Sequence, residues 1–563
     1  MGIKIEWGKY DVKAKGNSAP TISDKQPFSN LNQLKLDEEL IVTTDYATTG
    51  ELNQTILDDS QPIIPVNPNP DNIVLWSKSI SDSMGYFEKN PILDIVFSDV
   101  VTSIGITIGF WQNTNEYCRE IKIRWYDASD VLQSEKTFYP DNWQYKCRNY
   151  IEQYKRIEIE FIRTSLPFRF VKTSSIIYGE KVKLNNKNII TASLIESIGL
   201  TSSQLFTNQL ECDIISLVGD FNIISNPGEY LGLQINQQLE VKNDEDEEFG
   251  KYYIQKSVVN GNIISLVAND LIGYLESQEF KGGLYENVTF EFIINQIKAQ
   301  ANLLNVFGGE HTGFEIPTTI LNKVMSGYIP FTNCREALHQ LCYAANVVAN
   351  CERTDKIVIF ELSDLVTKDV LDETKIILDT LSVEENELFT GVAVNAFSYK
   401  PDTEQRELEN KTYEVGTHTI TFTSPYRNFT ITGGTIKESG NNYITFDVIT
   451  AGTIVIKGYG YEEVKQRFAA NNESYTGSTP SIKEMSDVRM VNPSNAQSVA
   501  ENQLKLYKLK YKLSSDIFNL EANIGDYVEL ENAEGYIQQI ETDLIAEDIC
   551  SLEVLGNAKA NNG

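Results

Sequence analysis

Histidine is almost missing. His311, His339 and His418 are the three in 563 residues, and they stand far apart. There is no HExxH, no paired metal-ligand spacing, no GxSxG elbow and no glycine-rich phosphate loop. Zinc hydrolysis, serine-type acyl transfer and nucleotide binding thus lack their usual signatures. His339 is read as a helix-surface residue and His311 as part of a glycine-rich loop at 308–313. Cys334, His339 and Cys342 are not read as one ligand set, and no metal or cofactor is expected. Cysteine is sparse and odd in number (Cys118, Cys147, Cys212, Cys334, Cys342, Cys351, Cys550), with no CxxC. That pattern predicts reduced, buried thiols in a cytosolically assembled protein, not a disulfide scaffold. No run of eighteen apolar residues occurs, so no membrane insertion is expected. The opening MGIKIEWGKYDVKAKG lacks the apolar stretch of a secretory leader. Positive charge is short as well: 48 Lys and Arg face 79 Asp and Glu, a formal net charge of −31. Such a surface repels phosphates and anionic lipid, which argues against a general nucleic-acid or membrane binder. The acidic excess serves either solubility or an acidic lumen along which DNA slides without sticking.

What the chain does have is tyrosine, phenylalanine and alternation. Ile104-Ile106-Ile108-Phe110, Ile121-Ile123-Trp125 and Ile157-Ile159-Phe161 place an apolar residue at every second position. Successive side chains on a strand point to opposite faces, so each segment has one face for a core and one for water. Length alone implies about three to five domains. Residues 1–70 are poor in core residues and read as an extended N-terminal arm ending in a Pro-rich linker at 62–70, since proline removes ladder donors. Residues 71–180 read as a β-sandwich holding four of the five tryptophans. Trp125 continues the alternation and belongs in its core. Trp111 and Trp143, at a strand end and in a loop, either brace the core or form a platform for a sugar ring.

Residues 181–284 carry short strands separated by turns and read as a small barrel, with the acidic run 244–248 as a solvated hairpin tip. Residues 285–365 read as an α+β unit. One helix there follows Thr289, with Phe290, Ile293, Ile294, Ile297, Ala301 and Leu304 on its apolar face. A second opens on Asn333 and Glu336 in capping-box spacing. Residues 366–480 return to β. Residues 481–563 hold a last helix starting at Ser494, whose apolar face runs to Tyr511, followed by strands. The fold class is therefore mainly β with α+β, in several domains, and no enzyme is expected.

Several segments resemble a known family. Ile177-Tyr178-Gly179, Leu194 to Ile198, Ser203-Gln204-Leu205 and Phe280 to Tyr285 are similar to the hub, or tail-associated structural, proteins of phage tails. Ile329 to Leu338 looks like the helix entry of the hub's α+β domain. Asn495-Ala496 with Leu504, then Gly525 to Val528 and Tyr536-Ile537, match its closing pattern. Ser81 to Phe87, Ser103 to Thr107, Trp125 to Asp127 and Thr164 to Phe170 resemble N-terminal modules of tail proteins in clostridial phages and phage-tail-like bacteriocins. The resemblance covers most of residues 71–560 and rests on structural motifs. It implies tube-like β-barrel domains, a homotrimer adapting a sixfold tube to a central spike, and a place at the distal end of the tail between tube and baseplate. Its partners would be the tail tube, spike and baseplate proteins, with DNA only as transiting cargo. The particle would assemble in the host cytoplasm and leave by lysis. No C-terminal peptidase or lysozyme domain is evident, unlike in some relatives. The alternative reading is a receptor-binding tail protein that holds a host surface glycan through Trp111 and Trp143.

Overall fold

The computed structural model describes residues 3–14, 18–26, 34–36, 74–111, 116–201, 204–215, 233–243, 248–303, 313–362, 367–473, 475, 481–518, 520, 522–530, 532–545 and 549–559. The Pro-rich linker, His311, Leu304 and most of the acidic run (244–247) lie outside them. The chain is mainly β, in several sheets, with a compact helical unit.

A 13-stranded sheet forms the framework. Its order runs Glu180–Leu184, Ile3–Lys9, Gln238–Asn243, Glu248–Asn260, Ile263–Asn269, Gln209–Ile215, Ile189–Ser197, Ala533–Asp543, Ile549–Ala558, Tyr511–Phe518 and Ser382–Glu385. Tyr527–Leu530 branches from Ala533–Asp543 and carries Thr367–Leu371 in parallel. The sheet wraps two separate cores. One is built from Ile3, Ile5, Trp7, Leu194, Leu210, Val241, Tyr252 and Leu266. The other takes Leu371, Leu513, Ile517, Val528, Ile537, Leu552 and Val554. The result is two half-barrels joined edge to edge, where Ile189–Ser197 pairs antiparallel with Ala533–Asp543.

The N-terminus is not an arm. Ile3–Lys9 sits inside the first half-barrel, paired on one side with Glu180–Leu184 and on the other with Gln238–Asn243. Ile3, Ile5 and Trp7 are buried there. The sequence signal was a three-residue alternation, Ile3-x-Ile5-x-Trp7, hidden in a stretch whose average composition is polar. The expected sandwich is therefore an insertion between the first and second strands of the barrel.

That insertion is one eight-stranded sheet around a single core. Its long strands, Ile92–Phe110 and Gln144–Thr164, shift register between Val96 and Val101 and again near Ser103 and Gly105. Leu93, Ile95 and Phe97 before the bulges and Ile106, Ile108 and Phe110 after them line the same core, so the bulges fold the sheet over itself. Gly105 has φ +125°, and a Cβ there would stand 2.0 Å from the Cys147 carbonyl oxygen, so the bend needs glycine. The predicted strands at 104–110, 121–125 and 157–161 all lie in this sheet, and Trp125 is buried.

The helical unit follows its caps. Thr289 accepts from the Phe292 N–H at 3.2 Å and opens Phe290–Gln300; Asn333 accepts from the Glu336 N–H at 2.8 Å and opens Cys334–Ala345. Asn346, left-handed at φ 56°, ends the second helix. Cys334–Ala345 is buried on nearly all sides because helices Leu271–Glu276, Phe290–Gln300 and Ala496–Tyr507 surround it. His339 is thus a core residue, not a surface one. The last helix starts at Ala496, and Tyr511 already belongs to a strand. Asn495 instead donates to the Ala344 carbonyl at 3.1 Å, which ties the last helix to the central one. From this unit the strands Gly391–Tyr413 and Gly452–Asn471 pair as a long ribbon, with a small second core of Ile444, Phe446, Val448, Ile454 and Ile456.

The turn after Asn350 joins helical unit and sheet. Glu352 and Arg353 are both left-handed (φ 43° and 54°), a strained pair, and Arg353 is held by Glu196 at 2.7 Å. Burial, then the charges of Asp526, Glu315 and Glu196, push the Glu352 carboxyl up to about 7 from 4.5. Burial likewise lifts Asp270 to about 6. Between about pH 4.5 and 7 the folded protein keeps a Glu352 proton that the unfolded chain has released. Stability therefore falls as pH rises through that window. Glu352→Gln is expected to reduce the slope of melting temperature against pH from 4.5 to 7, with Asp270 supplying the remainder. An unchanged slope would remove Glu352 from the account.

Candidate functional site

Six neighbouring strands carry the most distinctive surface. Across Ile263–Asn269, Gln209–Ile215, Ile189–Ser197, Ala533–Asp543, Ile549–Ala558 and Tyr511–Phe518, one side chain in two points into a half-barrel core. The alternate ones share a single outer face across the seam. The registers align them: Ser265 opposite Asp213 and Val267 opposite Glu211, Glu211 opposite Ser193, Ser193 opposite Asp543 and Ile195 opposite Glu541. Glu541 then faces Ser551, and Ser551 faces Asp516.

This face is concave. A hollow of about 560 Å³ lies over the seam, and its walls include Glu211 and Asp213 from the first half-barrel and Asp516, Glu541 and Asp543 from the second. Ser265 donates to Asp213 at 2.6 Å, and Ser551 donates to Asp516. Those hydroxyls orient the carboxylates without neutralising them. No Lys or Arg lines the hollow among the described residues. Nor is any group of three His, Cys, Asp or Glu placed to hold a metal ion, again among the described residues. The arrangement can hold anions at a distance and keep a hydrated, negative surface. Neither His339 nor His418 lines the hollow.

The sequence did not single out these five carboxylates. The alternation Leu210-Glu211-Cys212-Asp213-Ile214 puts Glu211 and Asp213 opposite the core. Nothing local, however, says that a strand more than three hundred residues later continues their surface.

Of the two tryptophans read as core braces or a sugar platform, Trp111 is only 2 % exposed. The Lys172 ammonium stands 4.5 Å from the centre of its ring and 4.5 Å from that of Trp76. Glu116, also buried, accepts from Lys172 at 2.7 Å and from Arg169 at 2.9 Å. Trp111 cannot offer a face to a sugar, because its own chain already covers it. Trp143 is 37 % exposed. All seven cysteines are free and buried.

No protein-family model matches the chain, and no curated protein matches it. Solved structures do. A prophage tail protein, gp18 of Listeria monocytogenes, aligns over 67 % of this chain and 92 % of its own at 11 % identity and a TM-score of 0.39. A tail protein of Neisseria meningitidis aligns over 67 % and 94 % at 12 % identity and a TM-score of 0.40. The E. coli c3393 protein, a type VI secretion component, aligns over 66 % and 74 % at 8 % identity and a TM-score of 0.32.

Proposed function

We propose that this chain is a structural subunit of a phage tail or tail-like particle, forming the hub at the distal end between tail tube and spike or baseplate. The observation that carries the reading is the acidic concave face shared by two half-barrels. A lone globular binder has no use for such a face, but a ring does. From Glu248–Asn260 to Ser382–Glu385 the sheet runs through eight consecutive strands. At the usual strand spacing that is an arc of about 38 Å. Three copies closing on themselves give a channel about 37 Å across between sheet backbones. This is wide enough for a double helix once side chains are subtracted.

The hub-like segments in the sequence support the same reading, and closure would give Ser382–Glu385, where the sheet ends, a neighbour instead of an open edge. Its partners are then two further copies, the tail tube protein, and the spike and baseplate proteins. DNA is only cargo in transit, which a wall of like charge repels. The protein would reside in the particle, assembled in the host cytoplasm and released by lysis.

Imaging of the purified full chain, alone and with the tail tube protein, is the direct test. A threefold ring with the 189–197 and 533–543 strands facing its channel is expected. A ring that turns this face outward would defeat the reading. A second measurement concerns charge. The triple variant Glu211→Lys, Glu541→Lys, Asp543→Lys should bind duplex DNA that the parent ignores. Its affinity should fall with a log–log salt slope of about −0.9 per phosphate engaged.

A further inference from the structure

The central helix hides a second polar site, unrelated to the acidic face. A cavity of about 60 Å³ lies where helices Cys334–Ala345 and Ala496–Tyr507 meet the end of strand Ile189–Ser197. That is room for a group of a few heavy atoms. Its walls include His339, Tyr343, Asn346 and Gln503. His339, Tyr343 and Gln503 are each 92 % buried. Yet both His339 ring nitrogens, the Tyr343 hydroxyl, Asn346 Oδ1 and Gln503 Oε1 have no hydrogen-bond partner. Buried polar atoms are nearly always paired, so four such residues around one hollow point to a polar ligand.

The chemistry of that occupant follows from the atoms. Asn346 Nδ2 donates to Ser498 Oγ at 2.9 Å, which leaves Oδ1 as the acceptor toward the cavity. His339 Nδ1 is the ring nitrogen near a carboxylate, 3.7 Å from Glu336 Oε2. With its proton there, Nε2 is a second acceptor. Gln503 Oε1 is a third, and the Tyr343 oxygen can be a fourth. A set rich in acceptors, backed by Glu336 and by a chain of net charge −31, selects a small cation with several N–H donors and rejects anions. We propose that this cavity binds a primary ammonium group, carried by the lysine side chain of another protein or by a free alkylamine.

The three histidines make the test tractable. The full chain labelled with ¹⁵N-histidine gives three imidazole spin systems, assigned by His311→Gln and His418→Gln in turn. Methylammonium chloride should shift the His339 signal saturably and leave the other two in place. Sodium chloride at equal ionic strength and methanol at equal concentration should not. Gln503→Leu combined with Tyr343→Phe should weaken the response by about tenfold or more, as loss of a charged hydrogen bond implies. Should that variant fail to fold, the parent titration with its two controls still decides. Tighter binding of Nα-acetyl-lysine amide than of methylammonium would support a protein side chain as the source. The reverse order would support a free amine. No saturable shift, or an equal shift with methanol, would overturn the proposal and leave ordered water as the occupant.

Discussion

Trp7→Ala is expected to lower the stability of the first half-barrel by about 3–5 kcal/mol, the usual range for removing a large buried aromatic. Trp7 lies in a strand with neighbours on both sides, opposite Val182 and Leu239, and its side chain is buried in the core with Leu194, Val241 and Tyr252. The truncation leaves a cavity beside Gln238–Asn243, which is itself pinned by Glu248–Asn260 and limits collapse around the gap. The measurement is a urea titration followed by amide exchange of strands Gln238–Asn243 and Ile263–Asn269. Trp7 also reports on itself, being the one tryptophan outside residues 76–143. Its blue-shifted emission should vanish in the variant and, in the parent, should redden in the same transition as the barrel amides. A variant as stable as the parent to within about 0.5 kcal/mol, the scatter of ordinary surface changes, would mean that the N-terminal strand is an ornament.

Lys172→Met should destabilise the inserted module by a similar amount. Lys172 and Glu116 are both buried and paired at 2.7 Å, and burial holds the lysine pKa below its ordinary value. Removing one partner of a buried pair strands the other charge in a poorly polarisable setting, a loss of about 3–5 kcal/mol. Arg169 still reaches Glu116, which places the expected value at the lower end. Met keeps the stem that fills the gap between Trp76 and Trp111 but drops the cation over both rings. The double variant Lys172→Met, Glu116→Gln should therefore recover most of the loss. A coupling of at least 1 kcal/mol in the resulting cycle is the quantity to read. A single variant that melts with the parent would show that the pair is solvated.

These two cases also show what the amino-acid order made legible. Period-two alternation located the strands of the insertion and the core position of Trp125, because each strand has one wet face. Caps located the helices at Thr289 and Asn333, because a side-chain oxygen three residues before a free N–H is a local device. Three things escaped, and each is non-local. The N-terminal strand was masked by the polar segment that follows it. His339 was placed on a surface because amphipathic spacing assumes one buried side, whereas helices pack around this one on several. The acidic hollow needed the pairing of Ser193 with Asp543, which no window of sequence contains. Trp111 was left between core brace and platform for a related reason: its lid, Lys172, is sixty-one positions away.

The seam between the half-barrels has a bearing on biosynthesis. Ile189–Ser197 waits for Ala533–Asp543, and a ribosome moving at about 5–20 residues per second reaches that stretch roughly 20–70 seconds later. Until then the nascent polypeptide shows an unmated ladder. A prematurely terminated product would lack the strands that build the second half-barrel and would leave that ladder unmated.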